Sequence, residues 1–360
     1  MKQLLLYCRA GFEKECAAEI QDKAGQYDVF GFCKLSANSA FVIFEAYDAD
    51  SLAQFYRDFA FEQFIFIRQW CLLQGELLEL PPADRIAPVL DALLAAELTG
   101  CGELRVEHPE TNDGKTLSTL ARKLTVPLRQ ALRQAGVMLA KEQKRAPVLH
   151  LFLLTGQQGY IGLSYPENNS PLENGIMRLK FPNEAPSRST LKLEEAFLQF
   201  IPKHEWDKRL AGGLNAVDLG ASPGGWTYQL VKRSMMVTAI DNGPMAESLL
   251  ETGQVKHLTV DGFKFEPQKK NVYWVVCDMI EQPQRVAERM GDWLINGWCQ
   301  EAIFNLKLPM KKRYETVTEI LAQLEQRLAD ADIKFRLQVK HLYHDREEVT
   351  VHVQNLVLKF

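Results

Sequence analysis

The sequence predicts an α/β protein: a C-terminal, mostly parallel sheet covered by helices and closed by an antiparallel hairpin, behind an α+β N-terminal region. Three observations carry this. From residue 187 onward, apolar runs of strand length alternate with helical stretches, the pattern of a parallel sheet with helices on both faces. The first of these strands runs into the turn Asp218-Leu-Gly-Ala-Ser-Pro-Gly-Gly225 and straight on into a helix. The last two strands, at 335–342 and 349–353, are separated by too few residues for a crossover, so they must pair antiparallel.

Taken in order, residues 1–60 read as strand 3–9, helix 11–25, strands 29–35 and 39–46, and helix 48–59. Phe12, Cys16, Ile20 and Lys23 fall along one stripe of the first helix, as in an amphipathic helix on a small sheet. Residues 61–73 read as a strand. A helix is expected from Pro81-Pro82 to about residue 97, since proline suits a first helical turn. Residues 104–107 are strand-like, and Asp113-Gly114 reads as a turn. The stretch 115–134 is helical but carries Pro127, so a kink or split is expected there. Leu117, Leu120, Leu124, Leu128 and Leu132 keep the helical period toward a core. Lys115, Arg122, Arg129 and Arg133 recur on the other side, with Lys123 beside them. Strands 148–154 and 160–164 make a hairpin. Residues 166–186, rich in proline and asparagine, read as a linker in which Arg178 and Lys180 are exposed.

Beyond it a helix spans 190–200, followed by the strand and glycine turn of residues 214–230. Further strands are expected at 236–241, 255–260, 272–277 and 301–306, with helices near 281–296 and 312–330. Ligands of open α/β sheets sit beyond the carboxyl ends of the strands. Those ends carry Asp218, Asp241, Asp261, Asp278 and Lys307. Asp241 lies about 20 residues past the glycine turn, where an acid accepts hydrogen bonds from a ribose diol.

Composition sets the boundaries. The chain has 360 residues, 46% hydrophobic and 24% charged, enough for about two folded domains. No apolar run approaches the roughly 18 residues of a membrane span. The N-terminus lacks the pattern of a signal peptide. Seven cysteines without a C-x-x-C argue against a disulfide framework or a zinc site. A cytoplasmic monomer, with no membrane partner and no metal, is expected. The net charge of −4 is unevenly spread, because residues 115–145 alone carry +7. That concentration is a candidate footprint for a polyanion.

The glycine turn is neither G-x-G-x-x-G nor a phosphate loop. It resembles the cofactor loop of S-adenosylmethionine-dependent methyltransferases. Cys277-Asp278-Met-Ile is not the Asn/Asp-Pro-Pro-aromatic run of amino-methylating enzymes. Cys277 alternates with Asp278 and points to the other sheet face, which disfavours it as the nucleophile that carbon methylation needs. Oxygen methylation remains, and it calls for a lysine whose pKa is lowered by a neighbouring cation. Lys192, on the helix before the first strand, is the natural partner for Lys307, with Asp278 orienting the base.

Lys192, Asp278, Lys307 and Glu348 stand in the order of the Lys-Asp-Lys-Glu tetrad of RNA 2′-O-ribose methyltransferases. Ala185-Pro-Ser-Arg-Ser-Thr-Leu-Lys-Leu-Glu-Glu-Ala196, the glycine turn through Tyr228, and His341-Leu-Tyr-His-Asp-Arg-Glu-Glu348 closely resemble the ribosomal RNA large subunit methyltransferase M family. The resemblance spans the chain. It implies a ferredoxin-like domain at 1–60, a THUMP RNA-binding domain at 61–165, the linker at 166–186 and a Rossmann-like methyltransferase domain at 187–360. It implies transfer of a methyl group from S-adenosylmethionine to the ribose of one cytidine in 23S rRNA, with large-subunit rRNA as partner.

By the same resemblance, Ser189, Ser222, Pro223, Gly224, Gly225, Asp241, Asp261 and Asp278 would contact the cofactor. Lys307 would accept the proton. Lys115, Arg122, Lys123, Arg129 and Arg133 are the candidate RNA contacts. The fourth tetrad member is Glu347 or Glu348. Alternation puts Glu347 with Val349, Val351 and Val353 and Glu348 with Thr350 and His352, which favours Glu348. His341 and His344 lack the further ligands of a metal site. An RNA-binding assembly factor with a vestigial cofactor pocket, or a nicotinamide-dependent oxidoreductase, are the rival readings.

Overall fold

The computed structural model describes residues 2–357 and divides into two compact units, one to Ile176 and the other from Met177. The division falls inside the proline- and asparagine-rich stretch 166–186. Its first half is tied to the N-terminal unit: the Asn168 side chain accepts from Phe61 N and donates to the carbonyls of Tyr56 and Phe59.

The first unit contains β1 (Gln3–Tyr7), α1 (Glu13–Gly25), β2 (Gly31–Leu35), β3 (Phe41–Ala46), α2 (Ala49–Asp58), β4 (Gln69–Leu77), α3 (Ile86–Ala95), β5 (Glu103–Glu107), α4 (Asn112–Lys115), α5 (Ser118–Gln134), β6 (Val148–Leu153) and β7 (Gly159–Ser164). One continuous sheet runs through it in the order β2-β3-β1-β4-β7-β6-β5, antiparallel except for the β5–β6 pair. Phe12, Cys16, Ile20 and Ala24 give α1 its buried stripe.

Three local expectations are corrected. Residues 61–68 are not strand. The buried carboxylate of Glu19 takes the backbone N–H groups of Ile65, Phe66 and Ile67, at 2.5, 2.8 and 3.0 Å, and so satisfies them outside any ladder. The third helix starts at Ile86 rather than Pro81, because Asp84 accepts from the N–H groups of Ile86 and Ala87 and fixes the start there. Finally, Asp113-Gly114 lies inside the short helix α4, and the helical break falls at 116–117. Pro127 sits within an uninterrupted α5. Leu124, Leu128 and Leu132 of α5 are buried as its period requires.

The second unit contains α6 (Thr190–Phe200), α7 (Trp206–Arg209), β8 (Asn215–Leu219), α8 (Gly225–Val231), β9 (Met236–Ile240), α9 (Glu247–Leu250), β10 (Val255–Leu258), β11 (Val272–Cys277), α10 (Pro283–Ile295), β12 (Cys299–Lys307), α11 (Arg313–Asp330), β13 (Phe335–Lys340) and β14 (Glu348–Asn355). Its sheet has the order β10-β9-β8-β11-β12-β14-β13. The first five strands are parallel, while β14 inserts antiparallel between β12 and β13. This is the Rossmann-like methyltransferase sheet with its closing hairpin. Strand order reverses between β8 and β11, so their carboxyl ends open the crevice where such sheets take ligands. Leu193, Ala196, Phe197, Trp226 and Leu230 of α6 and α8 pack on Ala216, Trp274, Val276 and Ile303. By alternation, Asp218, Asp278, Asn305 and Lys307 share that sheet face.

Candidate active site

Where β8 ends, the chain must turn sharply into α8. Gly220 (φ +77°) and Gly224 (φ +118°) hold left-handed backbone there. A Cβ on Gly225 would lie 2.1 Å from Ser189 Oγ, so the loop can close on the start of α6 only without a side chain. Ser189 Oγ in turn lies 3.0 Å from Ser187 Oγ. Asp241, at the end of β9, accepts from Ser222 N at 2.9 Å and from Gly243 N at 2.7 Å, one bond to each carboxylate oxygen. Each oxygen retains a lone pair for a further donor such as a ribose hydroxyl.

Asp261 is exposed and accepts from Phe263 N at 2.9 Å. Its neighbour Gly262 lies against Met279, the residue after Asp278. Ser189, Ser222–Gly225, Asp241, Asp261 and Asp278 thus ring one end of the sheet. The bare-backbone glycine cradle and the carboxylate acceptors fit a nucleoside with a cationic centre. Asp218 lies beneath the loop, 1% exposed, and accepts from Thr227 Oγ1 at 2.7 Å; burial pushes its carboxyl up to about 7 against the hydrogen bonds from Thr227.

Beside this cradle four charged side chains form a ring of alternating sign. Lys192 Nζ lies 3.1 Å from Asp278 Oδ2 and 2.7 Å from Glu348 Oε1. Lys307 Nζ lies 3.4 Å from Asp278 Oδ1 and 3.2 Å from Glu348 Oε2. The register explains the second pair, since Lys307 stands directly opposite Glu348 across β12 and β14. Glu347 points away, 62% exposed, and pairs with Arg313 at 2.7 Å. Burial opposes the charge on Lys192, but Asp278 and Glu348 outweigh it and hold the ammonium above its ordinary value. Burial likewise raises Glu348, and the two lysines more than reverse this, leaving the carboxyl below its ordinary value. Lys307 is the more open lysine, its side chain 24% exposed against 14% for Lys192.

Cys277 is fully buried, and burial pushes its thiol up to about 12, so it is no nucleophile. His341 Nε2 lies 3.0 Å from Arg346 O, and His344 Nδ1 lies 2.6 Å from Glu195 Oε2. In the first unit, Arg122 and Lys123 of α5 are exposed and Arg129 and Arg133 half-buried. Lys115 belongs to the separate α4 and lies 3.7 Å from Glu110, so it does not extend the α5 stripe.

Sequence reasoning missed Asn305, Thr350, Asp345 and Glu195. Asn305 Nδ2 donates to Asp278 Oδ1 at 2.9 Å. Glu195, one helical turn from Lys192, accepts from the backbone N–H groups of Tyr343 and His344 and so pins the loop that leads to Glu348. A polar residue two positions before Lys307, on the same face of its strand, was the available signal for Asn305.

Among known proteins, residues 1–71 match the RlmM ferredoxin-like domain. Residues 84–165 match the N-terminal model of ribosomal RNA large subunit methyltransferase M, and residues 185–321 match the FtsJ-like methyltransferase. The ribosomal RNA large subunit methyltransferase M of Vibrio atlanticus (strain LGP32) is 57% identical over 99% of this chain and 98% of its own length. That of Photorhabdus sp. (strain Az29) is 58% identical over 99% and 97%. Among solved structures, TrmN from Thermus thermophilus aligns over 99% of this chain and all of its own with a TM-score of 0.35 and 14% identity, too slight a likeness to bear on the fold. With near-complete coverage at that identity to the curated relatives, the chain belongs to the ribosomal RNA large subunit methyltransferase M family.

Proposed function

We propose that this protein is an S-adenosylmethionine-dependent methyltransferase that modifies the 2′-hydroxyl of a cytidine in large-subunit (23S) rRNA. The single observation that carries the reading is the ring of Lys192, Asp278, Lys307 and Glu348 beside the glycine cradle. The cofactor supplies a methyl group on a sulfonium sulfur. Ser189, the loop Ser222-Pro-Gly-Gly225, Asp241, Asp261 and Asp278 would hold it. Lys307, the more open lysine, is the proton acceptor: its neutral Nζ takes the 2′-hydroxyl proton as the ribose oxygen takes the methyl. Lys192, held charged by Asp278 and Glu348 against its burial, is a fixed cation beside it. Asp278 and Glu348 bridge the two lysines and fix their separation, and positioning of this kind supplies much of the acceleration of an in-line displacement.

Arg122, Lys123, Arg129 and Arg133 on α5, with Lys115 on α4, are the RNA contacts of the first unit. Supporting this, residues 115–145 carry a net +7 and Arg122 and Lys123 of α5 are exposed. The domain reading of 1–60, 61–165, a linker at 166–186 and 187–360 accompanies this proposal, as does a cytoplasmic monomer. No helix among the described residues is long and apolar enough to cross a membrane.

The test is methyl transfer from labelled S-adenosylmethionine to 23S rRNA, with the product located by resistance of its 3′-phosphodiester to alkali. Lys307→Ala is expected to abolish transfer, a loss of at least about 100-fold for a missing general base, while cofactor affinity stays within a few-fold. Transfer by Lys307→Ala at the wild-type rate would show that the base lies elsewhere.

A further inference from the structure

Behind the charged ring lies a chain of buried polar groups. Asn305, Thr350 and Asp345 are all fully buried. Asn305 Nδ2 donates to Asp278 Oδ1 at 2.9 Å, and Asn305 Oδ1 accepts from Thr350 Oγ1 at 2.9 Å. Thr350 Oγ1 also stands 3.0 and 2.9 Å from the two oxygens of Asp345. One of those oxygens, Oδ2, already accepts from Leu342 N at 3.0 Å. Asn305 and Thr350 face each other across the β12–β14 pair, one step in from Lys307 and Glu348.

Counting protons fixes every direction in this chain. The Asp278 carboxylate can only accept, so Asn305 must present its NH₂ to it and its carbonyl oxygen to Thr350. That carbonyl needs a donor, and the Thr350 hydroxyl has a single proton to give. The Thr350 oxygen is then free to accept, and Asp345 Oδ1 is placed to supply the proton if the acid is neutral. The alternative gives Thr350's proton to an ionised Asp345. It would leave a buried carbonyl without a donor and a buried charge beside the carboxylates of Glu195 and Glu348, both costly. Burial, followed by Glu195 and Glu348, does hold Asp345 well above the ordinary carboxyl range, against the opposing effect of Lys192.

We propose that Asp345, as a neutral acid, with Thr350 and Asn305, forms a positioning relay that locks the orientation of Asp278 between the two lysines of the active site. This rests on the function proposed above. Asp278 Oδ1 receives Asn305 along with both ammonium groups, at 3.3 Å from Lys192 and 3.4 Å from Lys307. The bond from Asn305 is the one that does not change when Lys307 gains or loses its proton. It keeps Asp278 from following whichever lysine is charged, so the carboxylate remains shared through the reaction. None of the three relay residues touches substrate.

Two measurements test this on the full chain. Carboxyl ¹³C NMR is expected to find Asp345 neutral at pH 7. An ionised Asp345 there would overturn the relay, whatever the enzyme methylates. In the 23S rRNA methyl-transfer assay, Thr350→Val is expected to lower kcat at least about tenfold. It should also move the ascending limb of the pH–rate profile upward by about half a unit or more, because a released Asp278 pairs more fully with Lys307. Thr350→Ser should restore both. Asp345→Asn, whose amide can still donate to Thr350 and accept from Leu342 N, should recover most of what Asp345→Ala loses. A purely structural role would lower Tm without moving the limb, and that result refutes the relay, as does a Thr350→Val kcat within twofold of wild type. Wild-type protein that transfers no methyl to ribose would sink the functional reading alone, leaving the relay to be judged by the Asp345 resonance.

Discussion

Replacing Glu348 by glutamine removes one negative charge from the ring while keeping the size and a hydrogen-bonding end. Lys307 Nζ lies 3.2 Å from Glu348 Oε2 and 3.4 Å from Asp278 Oδ1. At an effective dielectric of about 20, a pair of charges at that separation interacts by about 5 kcal/mol. Lys307 is partly open to water, so the realised effect is smaller. Carboxylates at such distances shift pKa values by about 1–3 units, or about 1.4–4 kcal/mol. Glu348→Gln is therefore expected to displace the ascending limb of the single-turnover pH–rate profile downward by about 1–3 units, because the ring loses one of the two carboxylates that favour the charged state of its lysine pair. The plateau should fall as well, since Lys192 loses its 2.7 Å partner and turns toward Asp278. The assay is transfer from labelled S-adenosylmethionine to 23S rRNA between about pH 6 and 10. A limb that stays in place, or moves upward, would refute a lysine of this ring as the base.

Two further predictions concern the other parts of the molecule. Charge reversal of Arg122 and Arg129 together should weaken RNA binding and lower the slope of log K against log salt by about 2, since each phosphate contact contributes close to one; an unchanged slope would make α5 a merely solvated face. Asp218→Asn should stabilise the fold, because the wild-type carboxyl is pushed up to about 7 by burial and its ionisation is resisted only in the folded state. The wild type loses stability as pH rises from about 4 to 7, by roughly 4 kcal/mol at most, and is level above that. The advantage of the asparagine should open over the same window in thermal unfolding, and a difference independent of pH would contradict this account.

What the sequence made legible follows from how local each signal is. The glycine turn needs left-handed backbone and close approach within a few residues, so its spelling alone placed Gly220, Gly224 and Gly225 at the crevice. Strand-end acids were readable because each follows its own apolar run. The choice of Glu348 over Glu347 was open to parity, since residues two apart on a strand share a face. Illegible were places where a distant side chain captures local backbone. Glu19 lies more than 40 positions from Ile65, Phe66 and Ile67, yet its carboxylate turns an apolar run of apparent strand into an irregular segment.

The relay behind Asp278 marks where reading by motif stops. Lys307 and Glu348 could be picked out by their resemblance to a tetrad, but nothing in the sequence says that β14 inserts beside β12 rather than at the sheet edge. Only that insertion puts Asn305 opposite Thr350 and Lys307 opposite Glu348 in one register. The same register therefore assembles the charged ring and its support, and slipping it by one residue would turn Glu348 and Thr350 to the opposite face together. An antiparallel strand inserted in a parallel sheet thus becomes a functional element. It brings a carboxylate to the carboxyl ends of parallel strands from a chain running the other way, and it carries the buried hydrogen bonds that hold Asp278 in place.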